Sequence, residues 1–341
     1  MVSIIPRRRR RRVRWAGVAA CLLCAFALAA GGPARAQTKV TLHLGNILAP
    51  DHPSTTTAED FARAVAARTN GQLEIKVYPA GQLAGLREGT EGVRLGTIDM
   101  FWTESGTLGG LVPSLAFVSL PFLFSDYDQA IRAMDKLRPD LDRVMRERVG
   151  VETLSWSPLG FRVVVTRNRA IKSASDMRGL KIRIPEIPLY VETFRALRTN
   201  AIPLAWGEVY TALQTGVIEG VEGPTGAIET SKFYEVATDV SRTNHILTDF
   251  VLVMNKRKFD ALPKEYQAIL REEAGRHTTT RMQSIARSFD DASYDKLKTR
   301  MKSIDTPDIA SFREGMKPIW DAFLGKNAEA RAWVESVANT K

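Results

Sequence analysis

The N-terminal third of the chain alternates between strand-like and helix-like patterns. Hydrophobic and polar residues alternate with the period of a half-buried strand at residues 40–44 and 73–78, and a short apolar run follows at 98–102. Between these runs, residues 54–66 and 86–95 carry apolar positions at helical spacing. This strand–helix–strand–helix–strand order predicts a mainly parallel sheet in an α/β domain.

The same alternation continues through the middle of the chain. Helical spacing predicts helices over 126–149, 189–197 and 206–216. Short apolar or alternating runs predict the strands 152–156, 161–166, 181–184, 217–221 and 245–254.

An unusually long helical pattern fills residues 263–301, with Pro263 suited to the first turn and Gly275 a candidate kink. At 1.5 Å per residue such a helix would measure about 60 Å, more than the diameter of one small domain. We therefore expect it to lie across two lobes. Two shorter helices, at 312–323 and 328–337, are expected to follow it.

The first 36 residues have the layout of a secretory signal peptide. A cluster of arginines precedes an apolar run at 15–30, and Ala34-Arg35-Ala36 fits the small-x-small cleavage rule. A membrane anchor is the less favoured alternative, because the apolar run is shorter than the ~20 residues that span a bilayer. A lipoprotein modified at Cys21 is also disfavoured, because the chain stays apolar beyond that cysteine. We expect cleavage after Ala36 and a periplasmic protein.

Removing this leader changes how charge and cysteine content are interpreted. The whole chain carries a net charge of +10, but eight of its 48 basic residues and none of its acidic ones precede the cleavage site. The remaining 40 basic and 38 acidic residues give a net charge of +2, which offers no basic surface for nucleic acid. Both cysteines also lie in the leader, so we expect no disulfide or thiolate chemistry.

Signatures of catalysis are mostly missing. The sequence contains no nucleophile elbow, P-loop, dinucleotide-binding glycine motif or paired metal-binding histidines, so we expect no catalytic residue, no metal and no cofactor. Acid–base chemistry between glutamates is the remaining enzymatic alternative, because Glu208, Glu219 and Glu222 lie close in sequence.

Several motifs resemble one family of binding proteins. They are GFR at 160–162, KIRIP at 181–185, EVYTALQTGVIEG at 208–220, TNHI at 243–246, PAGQL at 79–83 and GTID at 96–99. Together they are similar to the solute-binding proteins of tripartite ATP-independent periplasmic (TRAP) transporters, the family first described for C4-dicarboxylates. The resemblance covers essentially the whole chain after the leader.

This resemblance implies an α/β fold of the two-lobed periplasmic binding protein type (class II), with a long helix spanning both lobes. Lobe I would comprise 37–159 plus about 248–289, and lobe II 160–247 plus about 290–341. The lobes would close over a small organic carboxylate and deliver it to the TRAP membrane permease subunits. A sensory protein that presents its ligand to a membrane receptor is the alternative within the same fold. We expect a monomer.

The resemblance also implies ligand-binding residues. Arg183 matches the arginine that holds the ligand carboxylate through two parallel donors. Arg162 matches a second arginine near the carboxylate or the hinge, for which a structural ion pair is almost as plausible. Trp206 matches an aromatic residue that packs on the ligand. Glu104 and His245 match residues near the cleft in a branch that binds sugar acids.

One position departs from the family. Many members have asparagine before the proline of a Glu-Asn-Pro motif, where this chain has Gly223 between Glu222 and Pro224. We expect a larger ligand or a water to use the space that Gly223 leaves. Glu186 adds a polar acceptor beside Arg183, and together with Glu104 it favours a hydroxylated acid such as a uronate. A 2-oxo acid, an aromatic acid or a dicarboxylate remains an alternative.

Overall fold

The computed structural model describes residues 1–2 and 39–340, so the expected signal peptide lies almost entirely outside the described residues. Within this described part, no helix is long and apolar enough to cross a membrane. The strands are β1 (Val40–Gly45), β2 (Leu73–Tyr78), β3 (Met100–Thr103), β4 (Val151–Thr166), β5 (Lys181–Ile184), β6 (Asn200–Pro203), β7 (Gly220–Pro224), β8 (Asp239–Ser241), β9 (Leu247–Asn255) and β10 (Lys302–Ile304). The α-helices are α1 (Pro53–Arg68), α2 (Leu86–Leu95), α3 (Ser105–Leu108), α4 (Tyr127–Val144), α5 (Pro188–Ala196), α6 (Val209–Thr215), α7 (Thr225–Thr230), α8 (Lys256–Ala261), α9 (Lys264–Ala274), α10 (Arg281–Arg300), α11 (Ile309–Glu314), α12 (Lys317–Lys326) and α13 (Ala328–Ala338).

The strands form two sheet regions joined through β4. In the first region the order is β2-β1-β3-β9-β4, where β1 pairs in parallel with β2 and β3, and β9 runs antiparallel to both of its neighbours. In the second region β7, β5 and β6 are parallel to one another, and β8 pairs with β10. The expected α/β fold with two lobes is confirmed.

Strand β4 connects the two regions without a break. Its residues from Val151 to Phe161 pair with β9, and from Arg162 onward it pairs with β7 and β8. The sequence pattern predicts two strands here, but the structure has one. Pro158 and Gly160 interrupt the apolar alternation, and they lie at an irregularity in the β9 pairing rather than at a strand end.

The long helix is also present. Helices α9 and α10 and the π-helical turn Gly275–Thr280 between them form one helical segment of 37 residues. The irregularity therefore begins at Gly275, the predicted kink. Helix α10 packs on both β4 and α7. At this crossing its buried Asp290 lies so close to β4 that a Cβ on Gly160 would be 3.1 Å from Oδ1 of Asp290.

The C-terminal helix α13 packs on the first sheet region. Its Trp333 packs against Phe117 with ring centroids 5.3 Å apart, and the helix contacts α4. Phe117 and α4 belong to the segment predicted as lobe I. The apolar face of this helix is therefore buried in the core of the first sheet region, although residues 290–341 were expected in lobe II.

Candidate functional site

A cleft lies where residues of both sheet regions face one another. The space between its lining residues is about 570 Å³, counting space open to solvent. Five of the seven predicted site residues line it: Arg183, Arg162, Glu104, Trp206 and Glu186. Its apolar lining comes mainly from Ile47, Leu48, Leu86, Leu159, Ile187, Leu204, Pro224, Ala227 and Phe250.

Arg183 supplies the cleft with a buried cation whose terminal nitrogens are available. It lies in β5, its Nε donates a hydrogen bond of 2.8 Å to the carbonyl of Leu204, and its guanidinium carbon is 5.2 Å from the ring centroid of Trp206. No hydrogen bond joins Nη1 or Nη2 to any residue in the described part of the chain. Burial lowers the pKa of Arg183 to about 10, partly opposed by the Glu222 carboxylate, so the group stays charged at neutral pH. Two parallel donors of this kind match the two oxygens of a carboxylate.

Arg162 also lines the cleft, but its guanidinium is occupied by a protein carboxylate. Its Nε and Nη2 donate to the two Glu222 oxygens at 2.5 and 2.7 Å, and Nη1 donates to Thr248 at 2.9 Å. Burial alone would raise the pKa of Glu222, yet Arg162 and His245 outweigh it and lower that pKa to about 2. The Arg162–Glu222 pair is therefore a neutral unit at physiological pH.

His245 extends this ion pair away from the cleft. Its Nε2 lies 3.2 Å from Oε2 of Glu222 and its Nδ1 lies 2.8 Å from the hydroxyl of Thr243. Burial lowers the pKa of His245, although Glu222 acts in the opposite direction. His245 is not among the residues that line the cleft, so it would act on a ligand only through Glu222 and Arg162.

The three glutamates considered for acid–base chemistry do not form a catalytic pair. Glu222 is committed to Arg162 and His245, and a Glu219 oxygen accepts a hydrogen bond of 2.9 Å from the Lys181 backbone. Glu208 is exposed, and none of the three is among the cleft-lining residues.

The wall opposite Arg183 carries two unsatisfied polar atoms. Glu104 precedes the short helix α3 and is only 6 % exposed, and its Oε2 has no hydrogen-bond partner among the described residues. Burial raises the pKa of Glu104 to about 7, although Arg162 and Arg183 lower it. The hydroxyl of Thr107, one turn into α3, is buried and also lacks a partner. Unpaired buried polar atoms are costly unless a ligand or water satisfies them.

Thr107 was missed at the sequence level. Helix α3 is one turn long and has no detectable periodicity, so nothing in the pattern marks Thr107 as facing the cleft. Arg87 on α2 was also not predicted, and it lines the cleft as an exposed residue at the rim. The predicted Glu186 is exposed at the rim as well.

Trp206 fills the space that Gly223 leaves open. A Cβ on Gly223 would lie 3.0 Å from both Cη2 and Cζ3 of Trp206. The expectation that a ligand or water uses this space is wrong, because the indole already occupies it. Gly223 itself is not among the cleft-lining residues.

No group of three or more histidine, cysteine, aspartate or glutamate side chains suited to a metal ion occurs in the described residues.

Two α/β lobes around a cleft with an available buried guanidinium define a solute-binding protein. The family model for bacterial extracellular solute-binding proteins, family 7 (DctP), matches residues 44–327. The chain belongs to this family, whose members bind solutes for TRAP transporters and are not enzymes.

Individual relatives agree with this assignment. A solute-binding protein of Chromohalobacter salexigens is 31 % identical over 299 residues, covering 87 % of this chain and 88 % of that protein. A TRAP solute-binding protein from Sulfitobacter sp. NAS-14.1 with bound β-D-galacturonate superposes with a TM-score of 0.83 at 29 % identity, covering 88 % of this chain and all of that one. A TRAP protein from Polaromonas sp. JS666 bound to D-erythronate gives a TM-score of 0.83 at 30 % identity, covering 89 % of this chain and 99 % of that one.

Proposed function

We propose that this protein captures a hydroxylated monocarboxylic acid of the uronate or sugar-acid class in the periplasm and delivers it to a TRAP membrane permease. The observation that carries the proposal is the pairing of one available buried guanidinium, Arg183, with unsatisfied acceptors on the opposite wall. The bound acids of the Sulfitobacter and Polaromonas relatives, both rich in hydroxyl groups, support the same class.

The charges of the cleft favour a single carboxylate on the ligand. Glu222 already neutralises Arg162, so Arg183 is the buried arginine that remains for a ligand anion. A bidentate contact in a desolvated cleft is much stronger than the same pair at the surface. A second carboxylate directed at the opposite wall would meet the carboxyl group of Glu104, and one near the rim would meet the exposed Glu186.

The opposite wall suits hydroxyl groups. The free Oε2 of Glu104 accepts a hydrogen bond from a ligand hydroxyl, and the hydroxyl of Thr107 either donates or accepts. An apolar acid would leave both atoms buried and unsatisfied, at a cost of roughly 1–3 kcal/mol for each group. The wall therefore discriminates against ligands that lack hydroxyls.

Export through the leader at residues 1–36 would place the protein in the periplasm as a monomer. Lobe I would comprise 37–159, about 248–289 and helix α13, and lobe II would comprise 160–247 and the segment from about 290 up to α13. Closure of these lobes would bury the ligand and present one joint surface to the permease.

The proposal is tested by thermal-shift measurements on the chain from Gln37 onward. D-galacturonate, D-erythronate and succinate are the probes, because a ligand that binds only the folded state raises the melting temperature. We expect shifts with the two hydroxy acids and little with succinate. Arg183→Ala should weaken binding by roughly 100-fold or more, in line with the loss of a buried charged contact. Arg195→Ala, which removes an exposed arginine of α5, is the matched control.

Two results would overturn the proposal. One is the absence of any shift with all three acids. The other is a shift with the hydroxy acids that Arg183→Ala leaves undiminished.

A further inference from the structure

The contact between Trp206 and Gly223 links a residue outside the cleft to the shape of the cleft. Trp206 is held at its pyrrole end, where Nε1 donates a hydrogen bond of 3.1 Å to the hydroxyl of Ser231. Its ring also packs against Phe233 with centroids 5.0 Å apart. The benzene end of the indole lies directly over Gly223.

Space, not backbone conformation, makes glycine necessary at this position. Gly223 lies in β7 opposite Val163 of β4, and its φ angle is not in the left-handed region. An alanine would therefore fit the strand, and alanine in a strand loses less conformational entropy than glycine. Its Cβ, however, would lie 3.0 Å from two ring carbons, whereas relaxed carbon–carbon contacts are about 3.5–4.0 Å.

The indole can relieve this contact in only a few directions. Ser231 holds its pyrrole end, and Phe233 packs against the ring. Trp206 also lines the cleft and stacks 5.2 Å from the guanidinium carbon of Arg183. A side chain at position 223 would therefore push the benzene end toward the cleft and Arg183.

We propose that Gly223 is a specificity-determining positioning residue: by leaving room for the indole of Trp206, it sets the width of the cleft so that a six-membered sugar ring fits beside Arg183. This inference rests on the proposed function, since it concerns the size of the acid that the site accepts. An open-chain acid of four carbons is narrower than a sugar ring and needs less of this width. Gly223 therefore controls the ratio of affinities for ring-sized and short acids without touching either.

The test compares D-galacturonate, a six-carbon ring acid, with D-erythronate, a four-carbon chain acid. Calorimetric dissociation constants are measured for the wild type, Gly223→Ala, Trp206→Phe and the double variant. We expect Gly223→Ala to weaken galacturonate binding by about tenfold or more, the range for one methyl-sized change in a pocket. Erythronate does not reach the narrowed part of the cleft, so its binding should weaken by less than about threefold. The smaller ring of Trp206→Phe leaves room for a Cβ, so adding Gly223→Ala to it should change neither constant by more than about twofold.

The chain offers a matched control. Gly207 is exposed, directly follows Trp206 and has no atom within 4 Å of an added Cβ, so Gly207→Ala should leave both affinities unchanged. If Gly223→Ala alone does not fold, the comparison of Trp206→Phe with the double variant still decides the question.

The possible failures are distinguishable. If the wild type binds neither acid, the proposed function fails and the inference fails with it. If the wild type binds galacturonate but Gly223→Ala lowers both affinities equally, or the double variant is as impaired as Gly223→Ala, the proposed function stands and the role of Gly223 is refuted.

Discussion

Arg162 and Glu222 form a buried, doubly hydrogen-bonded ion pair with side chains that are 2 % and 0 % exposed. The pair joins β4 to β7 at the first residue of β4 that pairs with the second lobe's sheet region. Because the two charges cancel, Arg162 contributes shape to the site, while Arg183 contributes net charge.

The pair predicts a large and asymmetric effect on stability. Arg162→Met would leave the buried Glu222 carboxylate with His245 but without its charged partner, and should reduce the free energy of unfolding by roughly 3–5 kcal/mol. The double variant Arg162→Met/Glu222→Gln removes both charges and should recover most of that loss. Urea unfolding monitored by circular dichroism measures both. Equal losses in the single and double variants would contradict this account.

Ligand binding should be linked to uptake of a proton by Glu104. Burial raises the pKa of Glu104 to about 7 in the free protein, and the charge of Arg183 holds it below a still higher value. A ligand carboxylate on Arg183 cancels that charge and raises the pKa of Glu104 further. Affinity should therefore fall as pH rises through about 7.

Calorimetry from about pH 5 to about 9, in buffers of different ionisation enthalpy, measures this linkage. The variant Glu104→Gln should bind with little pH dependence over the same range. An affinity that rises with pH in the wild type would show that the bound ligand favours the carboxylate form instead.

Thr107 should contribute one hydrogen bond to the ligand. Thr107→Val keeps the shape of the side chain and should weaken galacturonate binding by about 3- to 10-fold, corresponding to a net hydrogen bond of roughly 1 kcal/mol. Thr107→Ser retains the hydroxyl and should stay within about twofold of the wild type. Unchanged affinity in the valine variant, measured by calorimetry, would exclude this contact.

Asp290 should make the free energy of unfolding depend on pH in mildly acidic solution. Burial raises the pKa of Asp290 to about 6 from an ordinary value of 3.8, against the Thr225 and Tyr127 hydroxyls, which lower it. Because the folded protein binds a proton on Asp290 more tightly than the unfolded chain does, this proton contributes fully to the free energy of unfolding below about pH 4. The contribution is lost as pH rises through about 6. Asp290→Asn should flatten this slope and raise stability at neutral pH by a few kcal/mol.

Melting temperatures between about pH 4 and 8 measure this effect. Asp295→Asn, an exposed change on the same helix, is the control and should keep the slope of the wild type. An unaltered slope in Asp290→Asn would assign the pH dependence to another group.

The sequence predicted the parts of the fold that carry strong periodicity. The long helix is an example, because its apolar positions recur over ten turns. The continuity of β4 was not predictable, since Pro158 and Gly160 resemble strand ends in one dimension. Short elements such as α3, β8 and β10 have too few residues for a period.

The site was predictable where a motif names a residue, and less so where partners decide its role. Arg183 and Arg162, which lie in the KIRIP and GFR motifs, both line the cleft. Only the structure distinguishes the occupied guanidinium of Arg162 from the available one of Arg183, because Glu222 reaches one and not the other. Only the structure shows, likewise, that the space beside Gly223 is filled by the indole of Trp206, which comes from a different element.

The pairing of β4 with β9, and the packing of α13 on α4, also have a consequence for the order of folding. Both are contacts between segments far apart along the chain, and such contacts slow folding. The first lobe lacks its central strand β9 until about residue 255 has been synthesised, and its core stays open until α13 is complete. The first lobe of a nascent chain of this topology therefore cannot complete its core until synthesis is nearly finished.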